Sequence, residues 1–166
     1  GTDVSAILTA GSGGNGTDET QYRTHDGNSG STWATYVSGT SISTTGKTQV
    51  EIRTRRLASV CSSSTYTSVS WIVETTPVTG TLAKSPNVTN VCEGTEVWAS
   101  LTTGSGGNGN DVLEFRTFSG SWSGWNTYNS DEIIDTEGLA GVEIRTYREA
   151  DYCNNASAVT VSWIVD

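Results

Sequence analysis

Two stretches of this chain carry oxygen groups that suit a hard cation. Gly13-Gly-Asn-Gly-Thr-Asp18 and Gly106-Gly-Asn-Gly-Asn-Asp111 both fit Gly-Gly-x-Gly-x-Asp. In parallel β-rolls such turns stack and supply carbonyl and carboxylate oxygens to calcium. Here the pattern recurs only once in 93 residues, so no stack can form. The plainer expectation is a flexible loop whose glycines reach unusual φ, with Asp111 kept as a calcium candidate. Ser130-Asp-Glu-Ile-Ile-Asp-Thr-Glu137 gathers four carboxylates in eight residues, which adds Asp131, Glu132 and Asp135 as candidates. The matching stretch, Ser38 to Thr45, has none, which favours a solvated acidic loop. Paired carboxylates also suit glycoside hydrolysis, but nothing in the sequence resembles a deep catalytic cleft. His25 is the only histidine, so a multi-histidine metal site is excluded within the chain. It reads as a turn residue. No catalytic residue is assigned, and the only cofactor considered is calcium.

Tryptophans offer a second chemistry. Trp98 alternates out of phase with Val97 and Ala99 and should face outward, and neither Trp98 nor Trp122 recurs between the two halves of the chain. Exposed aromatic rings stack on sugars or fill interfaces, so these two are the candidate ligand or interface residues. Trp71 and Trp163 run in step with Val69 and Val73, or Val161 and Val165, and belong in a core. Trp33 and Trp125 recur, which favours packing. Arg23, Glu51 and Arg53, like Arg116, Glu143 and Arg145, lie out of phase with their apolar neighbours and predict a cross-strand charge ladder on a wet sheet face.

The elements that position these groups are written twice. Thr9 to Asp18 matches Thr102 to Asp111 at an offset of 93. After a one-residue deletion the offset is 92, pairing Trp33 with Trp125, Tyr36 with Tyr128, Val50-Glu-Ile-Arg-Thr54 with Val142-Glu-Ile-Arg-Thr146 and Ser70-Trp-Ile-Val73 with Ser162-Trp-Ile-Val165. Each copy reads as short alternating strands separated by Gly-containing turns. Val4 to Ala10 in the first copy has Val97 to Thr103 as its counterpart in the second. Two domains follow, 1–76 and 77–166, each a sandwich of two sheets. Thr75 to Thr81 reads as a linker, and Pro86 to Val91 as the first strand of the second domain. The first domain lacks that strand. An unpaired edge of this kind invites strand addition from another copy.

Composition narrows the classes further. Leu is scarce and Met absent, while Thr, Ser, Val and Gly abound, which favours an all-β chain. The net charge of −9 argues against nucleic-acid partners and polybasic membrane contact. Residues 1–76 carry six acids and five bases, residues 77–166 twelve and four, so the acidity belongs to the second half. No apolar run of membrane-spanning length is present. Because the first residue is Gly1, the chain reads as a processed piece whose targeting segment lies elsewhere.

Three cysteines leave one over. Cys61 matches Cys153, and the position matching Cys92 falls just before Gly1. The expectation is an intradomain Cys92–Cys153 disulfide, with Cys61 unpaired or externally paired, and hence an oxidising, extracellular compartment. A Cys61–Cys92 bridge and buried reduced thiols remain as alternatives.

Val91-Cys-Glu-Gly-Thr-Glu-Val97, the Gly-Ser-Gly-Gly-Asn-Gly loops, the Tyr/Phe-Arg-Thr strand, Val-Glu-Ile-Arg-Thr and the closing Ser-Trp-Ile-Val together resemble tandem immunoglobulin-like, PKD-like repeats of large secreted bacterial surface proteins. The resemblance covers both domains and departs at Gly1, where the Val-Cys-Glu element is missing. It implies two tandem immunoglobulin-like β-sandwich domains. The role it implies is that of a non-enzymatic structural or adhesive repeat of a bacterial surface adhesin or filament. Partners would be other copies of itself or neighbouring repeats. A carbohydrate-binding module using the exposed tryptophans on surface glycans is the alternative.

Overall fold

A computed structural model describes residues 1–27 and 29–166. The described residues are all-β, and the chain divides into two compact units, Gly1–Thr75 and Thr76–Asp166. Among the described residues no helix is long and apolar enough to cross a membrane.

In unit 1 the named strands are β1 (Asp18–His25), β2 (Ala34–Thr35), β3 (Gln49–Arg56) and β4 (Thr67–Ile72), joined in one antiparallel sheet in the order β2-β1-β3-β4. Strand β3 is central because its alternation serves both faces. Val50 and Ile52 are buried against Tyr36 and Ile42, and Glu51 and Arg53 point to the other face. Gly27 and Gly46 turn the chain with positive φ, as their places between strands require.

Unit 2 contains β5 (Thr81–Ser85), β6 (Asn90–Val91), β7 (Glu96–Thr102), β8 (Asp111–Phe118), β9 (Asn126–Thr127), β10 (Ile134–Asp135), β11 (Gly141–Arg148) and β12 (Val159–Val165). They form two sheets, β10-β7-β5 and β6-β12-β11-β8-β9. Val97 and Ala99 from the first sheet meet Leu113, Val142, Ile144 and Trp163 from the second in one core. This is the layered arrangement of a β-sandwich.

Four expectations change. First, Val4 to Ala10 is not a regular strand. Its one β-bridge is Val4–Ile42, with hydrogen bonds of 3.0 and 2.8 Å, and beyond it Ala6 and Leu8 bond to Tyr36, Ser38 and Gly39 without strand pairing among the described residues. Its equivalent, β7, is a full strand because β5 pairs along its other side from Thr81 to Ser85. Second, residues 77–79 are not a free linker. Pro77 is buried, Val78 bridges Ser105, and Thr79 Oγ1 donates to the Ser157 carbonyl at 2.6 Å. Third, the first strand of unit 2 is Thr81–Ser85, ahead of Pro86, with only Asn90–Val91 pairing after it.

Fourth, no Cys92–Cys153 disulfide is present. Cys92 follows β6, which runs parallel to β12 with Val91 beside Val165. Cys153 lies in the β11–β12 connection, ahead of Val159. The length of β12, seven residues, therefore separates the two cysteines. At a rise of ~3.3 Å per residue that is on the order of 20 Å, whereas a disulfide needs Cα atoms within about 7 Å. Cys61, Cys92 and Cys153 are all exposed, and no disulfide joins any of them.

Candidate functional site

The polar groups of each unit converge on the outer face of one sheet. In unit 1 the Arg53 guanidinium lies between two rings, 3.7 Å from the Trp33 centroid and 3.8 Å from that of Tyr66. Arg23 covers the other side of Trp33 at 4.5 Å, and Arg55 extends the stack beyond Tyr66 at 4.5 Å. Unit 2 repeats the alternation as Trp122, Arg116, Trp125, Arg145 and Tyr147, at 4.5, 4.5, 3.9 and 5.9 Å. A guanidinium can stack through its plane while its edge donates hydrogen bonds, and both uses appear here. Arg23 pairs with Glu51, Arg55 with Glu19 at 2.6 Å, Arg116 with Glu143 at 2.6 Å and Arg145 with Glu114 at 2.7 Å. Arg53 instead donates to Gln21 Oε1 at 2.7 Å, because glutamine stands where unit 2 has Glu114.

Strand register positions these partners. Arg23 lies opposite Glu51, and Arg116 opposite Glu143, in adjacent antiparallel strands. The charge ladder read from Arg23, Glu51, Arg53 and their counterparts is therefore present. The rings threaded through it were missed. Trp33 and Trp125 pack between arginines rather than in a core, and the recurrence of Trp beside recurring Arg was the available signal. Tyr66 carried no signal, since alanine, Ala158, stands at its position in the second copy. His25 is the last residue of β1, not a turn residue, and its Nε2 sits 2.9 Å from Glu51.

Hydrogen bonding tunes the acids. The Tyr66 hydroxyl, followed by Arg55, holds the Glu19 carboxyl below its ordinary value, and Glu19 in turn raises the Tyr66 phenol. Arg23, then His25, lowers Glu51. Each exposed ion pair contributes ~0.2–1 kcal/mol and each exposed cation–π contact about 0.5–1 kcal/mol, so the ladder stiffens its face mainly by number.

The glycine-rich loops are tied down by hydrogen bonds, and their aspartates are already engaged. Asp111 accepts from the Gly104 N–H at 3.1 Å and from Arg148 Nη1 at 2.9 Å, while Arg148 Nε donates to the Gly106 carbonyl. Asp18, Arg56, Gly11 and Gly13 make the same clasp in unit 1. Glycine is required at Gly14 and Gly107, where a Cβ would collide with the carbonyl oxygen of Leu57 or Glu149.

The acidic loop of unit 2 turns its carboxylates onto local donors. Asp131 accepts from Ser100 and Ser130, Glu132 from the Asn129 N–H at 3.0 Å and Asp135 from the Glu137 N–H at 3.0 Å. Asp111, Asp131, Glu132 and Asp135 are not brought together. Among the described residues no group of three or more His, Cys, Asp or Glu side chains is placed to share a metal ion.

Trp98 and Trp122 are also apart. Trp98 is half-buried on the outer side of β7, opposite Ser85 of the three-stranded sheet. Trp122 is 42% exposed and lies over Phe118 and Arg116 on the outside of the five-stranded sheet. Comparison with known proteins finds no family that matches, no similar curated protein and no similar solved structure.

Proposed function

We propose that the chain is a non-enzymatic, extracellular structural and adhesive repeat of a bacterial surface adhesin or filament, built from immunoglobulin-like β-sandwich units and contacting other copies or neighbouring repeats. The observation that carries this reading is the repetition of backbone-fixing polar contacts. Tyr36 and Tyr128 hydroxyls each brace two segments of their own unit, accepting from Ala6 or Ala99 N–H at 2.9 Å and donating to Thr40 or Glu132 carbonyls at 2.8 or 2.6 Å. Thr44 and Thr136 staple the Thr2 and Thr95 carbonyls at 2.7 and 2.9 Å. The Asp–Arg clasps and the ladders recur as well. Side chains able to do chemistry are thus used, twice over, to hold a rigid frame, as suits a module selected for shape and reach.

Beads coated with the chain should attach to cells or surfaces more than uncoated beads do, and electron microscopy of the native material should show ordered fibres or rods. Turnover of a glycan or peptide by the isolated chain would remove the proposal. The glycan-binding alternative is weakened because Trp98 and Trp122 lie on the outer faces of different sheets. A glycan array on which binding is lost in Trp122→Ala would restore it.

A further inference from the structure

Unit 1 contains an unfilled groove of about 140 Å³ whose lining includes Ala6, Leu8, Thr20, Tyr36, Ile52 and Val69. The residues at these positions in unit 2 are Ala99, Leu101, Leu113, Tyr128, Ile144 and Val161, all of them in or packed against its core, together with Leu82 of β5. The groove therefore marks the place where unit 2 seats a strand. Its surroundings fit that reading. Val69 is 48% exposed on what is otherwise an inner face, and Ile7 is 85% exposed beside it. Among the described residues the backbone N–H and C=O groups of Ser5, Ile7 and Thr9 make no hydrogen bond. Their counterparts Trp98, Ser100 and Thr102 lie opposite Ser85, Ala83 and Thr81. An unpaired edge with an adjacent apolar slot is the requirement for strand addition, in which backbone bonds supply affinity and alternate side chains supply specificity.

We infer that this groove receives an extended segment of the Thr81–Val91 type from another repeat of the same kind, an inference that rests on reading the two units as copies of one module. The register follows from unit 2. The donor runs antiparallel to residues 5–9, with its leucine opposite Leu8 and filling the slot, as Leu82 stands opposite Leu101. Its lysine reaches the Ser70 carbonyl, as Lys84 Nζ reaches that of Ser162 at 2.8 Å. Its proline carbonyl accepts from the Trp71 indole, as that of Pro86 accepts from Trp163 Nε1 at 3.0 Å. Its last two residues run parallel to Ile72 and Val73, as Asn90 and Val91 do to Ile164 and Val165.

The test titrates a synthetic peptide, residues Pro77 to Val91, into the full chain. Unit 2 already holds its own β5, so saturable binding of one peptide per chain is expected. It should come with slowed hydrogen exchange at the amides of Ser5, Ile7 and Thr9 and a blue shift of Trp71 fluorescence. A peptide carrying Leu82→Asp should bind about thirtyfold more weakly or worse. Ile7→Pro in the chain, which removes one edge N–H without touching a buried side chain, should abolish protection at Ser5 and Thr9. A second arm fuses residues 76–93 ahead of Gly1, raising the effective concentration of the donor, and should protect the same three amides. Absence of protection in both arms, or binding indifferent to Leu82→Asp, overturns the inference. Concentration-dependent dimers of the chain alone that dissolve on adding peptide would support it, with β5 of a second copy as the donor. A chain that accepts the strand but adheres to nothing leaves this inference standing and sinks the adhesive reading.

Discussion

Unit 1 and unit 2 are written in nearly the same residues, yet they are not equally closed. Val50, Val142 and Ile144 are fully buried, and Ile52 nearly so. Elsewhere the copies part. Trp163 is 1% exposed while Trp71 is only half-buried, and Val97 and Ala99 are sealed where Val4 and Ala6 are half-buried. Val161 is half-buried where Val69 is exposed. The positions that loosen belong to the Val4–Leu8 segment and to β4, whose counterparts β7 and β12 pair with β5 and β6 in unit 2. Residues that face the shared sheet core keep their burial. Depth in this fold is set by the neighbour that covers a position, not by the residue occupying it.

The largest test of that difference is the tryptophan pair. Trp163→Ala should cost unit 2 roughly 3–5 kcal/mol, the usual loss for a buried aromatic. Trp71→Ala should cost unit 1 about half of that or less, since much of its ring is already wet. Urea unfolding followed by the remaining tryptophans resolves the two, and equal losses would break the comparison.

Next come the bracing tyrosines. Tyr128→Phe leaves the Ala99 N–H buried without its acceptor, at a cost of about 1–3 kcal/mol. In Tyr36→Phe, Ala6 is half-buried and water can take over, so the loss should stay below ~1 kcal/mol. Thermal denaturation of the two variants gives the ordering.

A threonine pair should even change sign. Thr54 Oγ1 donates to the Glu19 carbonyl at 3.2 Å and lies 3.4 Å from Thr20 Oγ1. Thr146 is fully buried and its hydroxyl has no partner among the described residues, and Leu113 stands where unit 1 has Thr20. Thr146→Val should therefore raise stability by about 1 kcal/mol, and Thr54→Val should lower it by a similar amount. Losses in both would mean that the Thr146 hydroxyl is satisfied in solution.

Alternation and repetition made much of this legible beforehand. The period of two along Val50-Glu-Ile-Arg gave both the core and the charged face, and Val97 and Ala99 placed Trp98 outward. What could not be read was whatever depends on a partner distant in sequence. Val4 to Ala10 has strand periodicity, but a strand is completed by neighbours on its edges, and only one edge is met. Cys92 and Cys153 read as a pair within one copy, yet they fall at opposite ends of β12, a fact of register that spacing does not contain. The Gly-Gly-Asn-Gly-x-Asp loops advertised calcium or flexibility, whereas Arg56 and Arg148 arrive from 38 and 37 residues away to engage Asp18 and Asp111.

The smallest expected effect separates the two ladders by pH. Glu51 takes hydrogen bonds from Arg23 and from His25, and β8 has Phe118 where β1 has His25, so Glu143 is paired with Arg116 alone. Arg23 first, and His25 second, pull the Glu51 carboxyl below its ordinary 4.5. A carboxyl whose folded value lies below its unfolded one stabilises the fold above the unfolded value, and that contribution is lost as pH falls from about 4.5 through the folded value. Unit 1 should therefore lose ~0.2–1 kcal/mol from this group on acidification. In Glu51→Gln the contribution is gone at neutral pH as well, so the acid limb of the unit 1 unfolding curve should flatten. Glu143→Gln, which removes one hydrogen-bonded partner rather than two, should cost unit 2 less. Unfolding midpoints measured for both variants from pH 7 to pH 3 decide it: an acid limb that stays as steep in Glu51→Gln as in the parent chain would show that His25 and Arg23 are neighbours of Glu51 without being coupled to it.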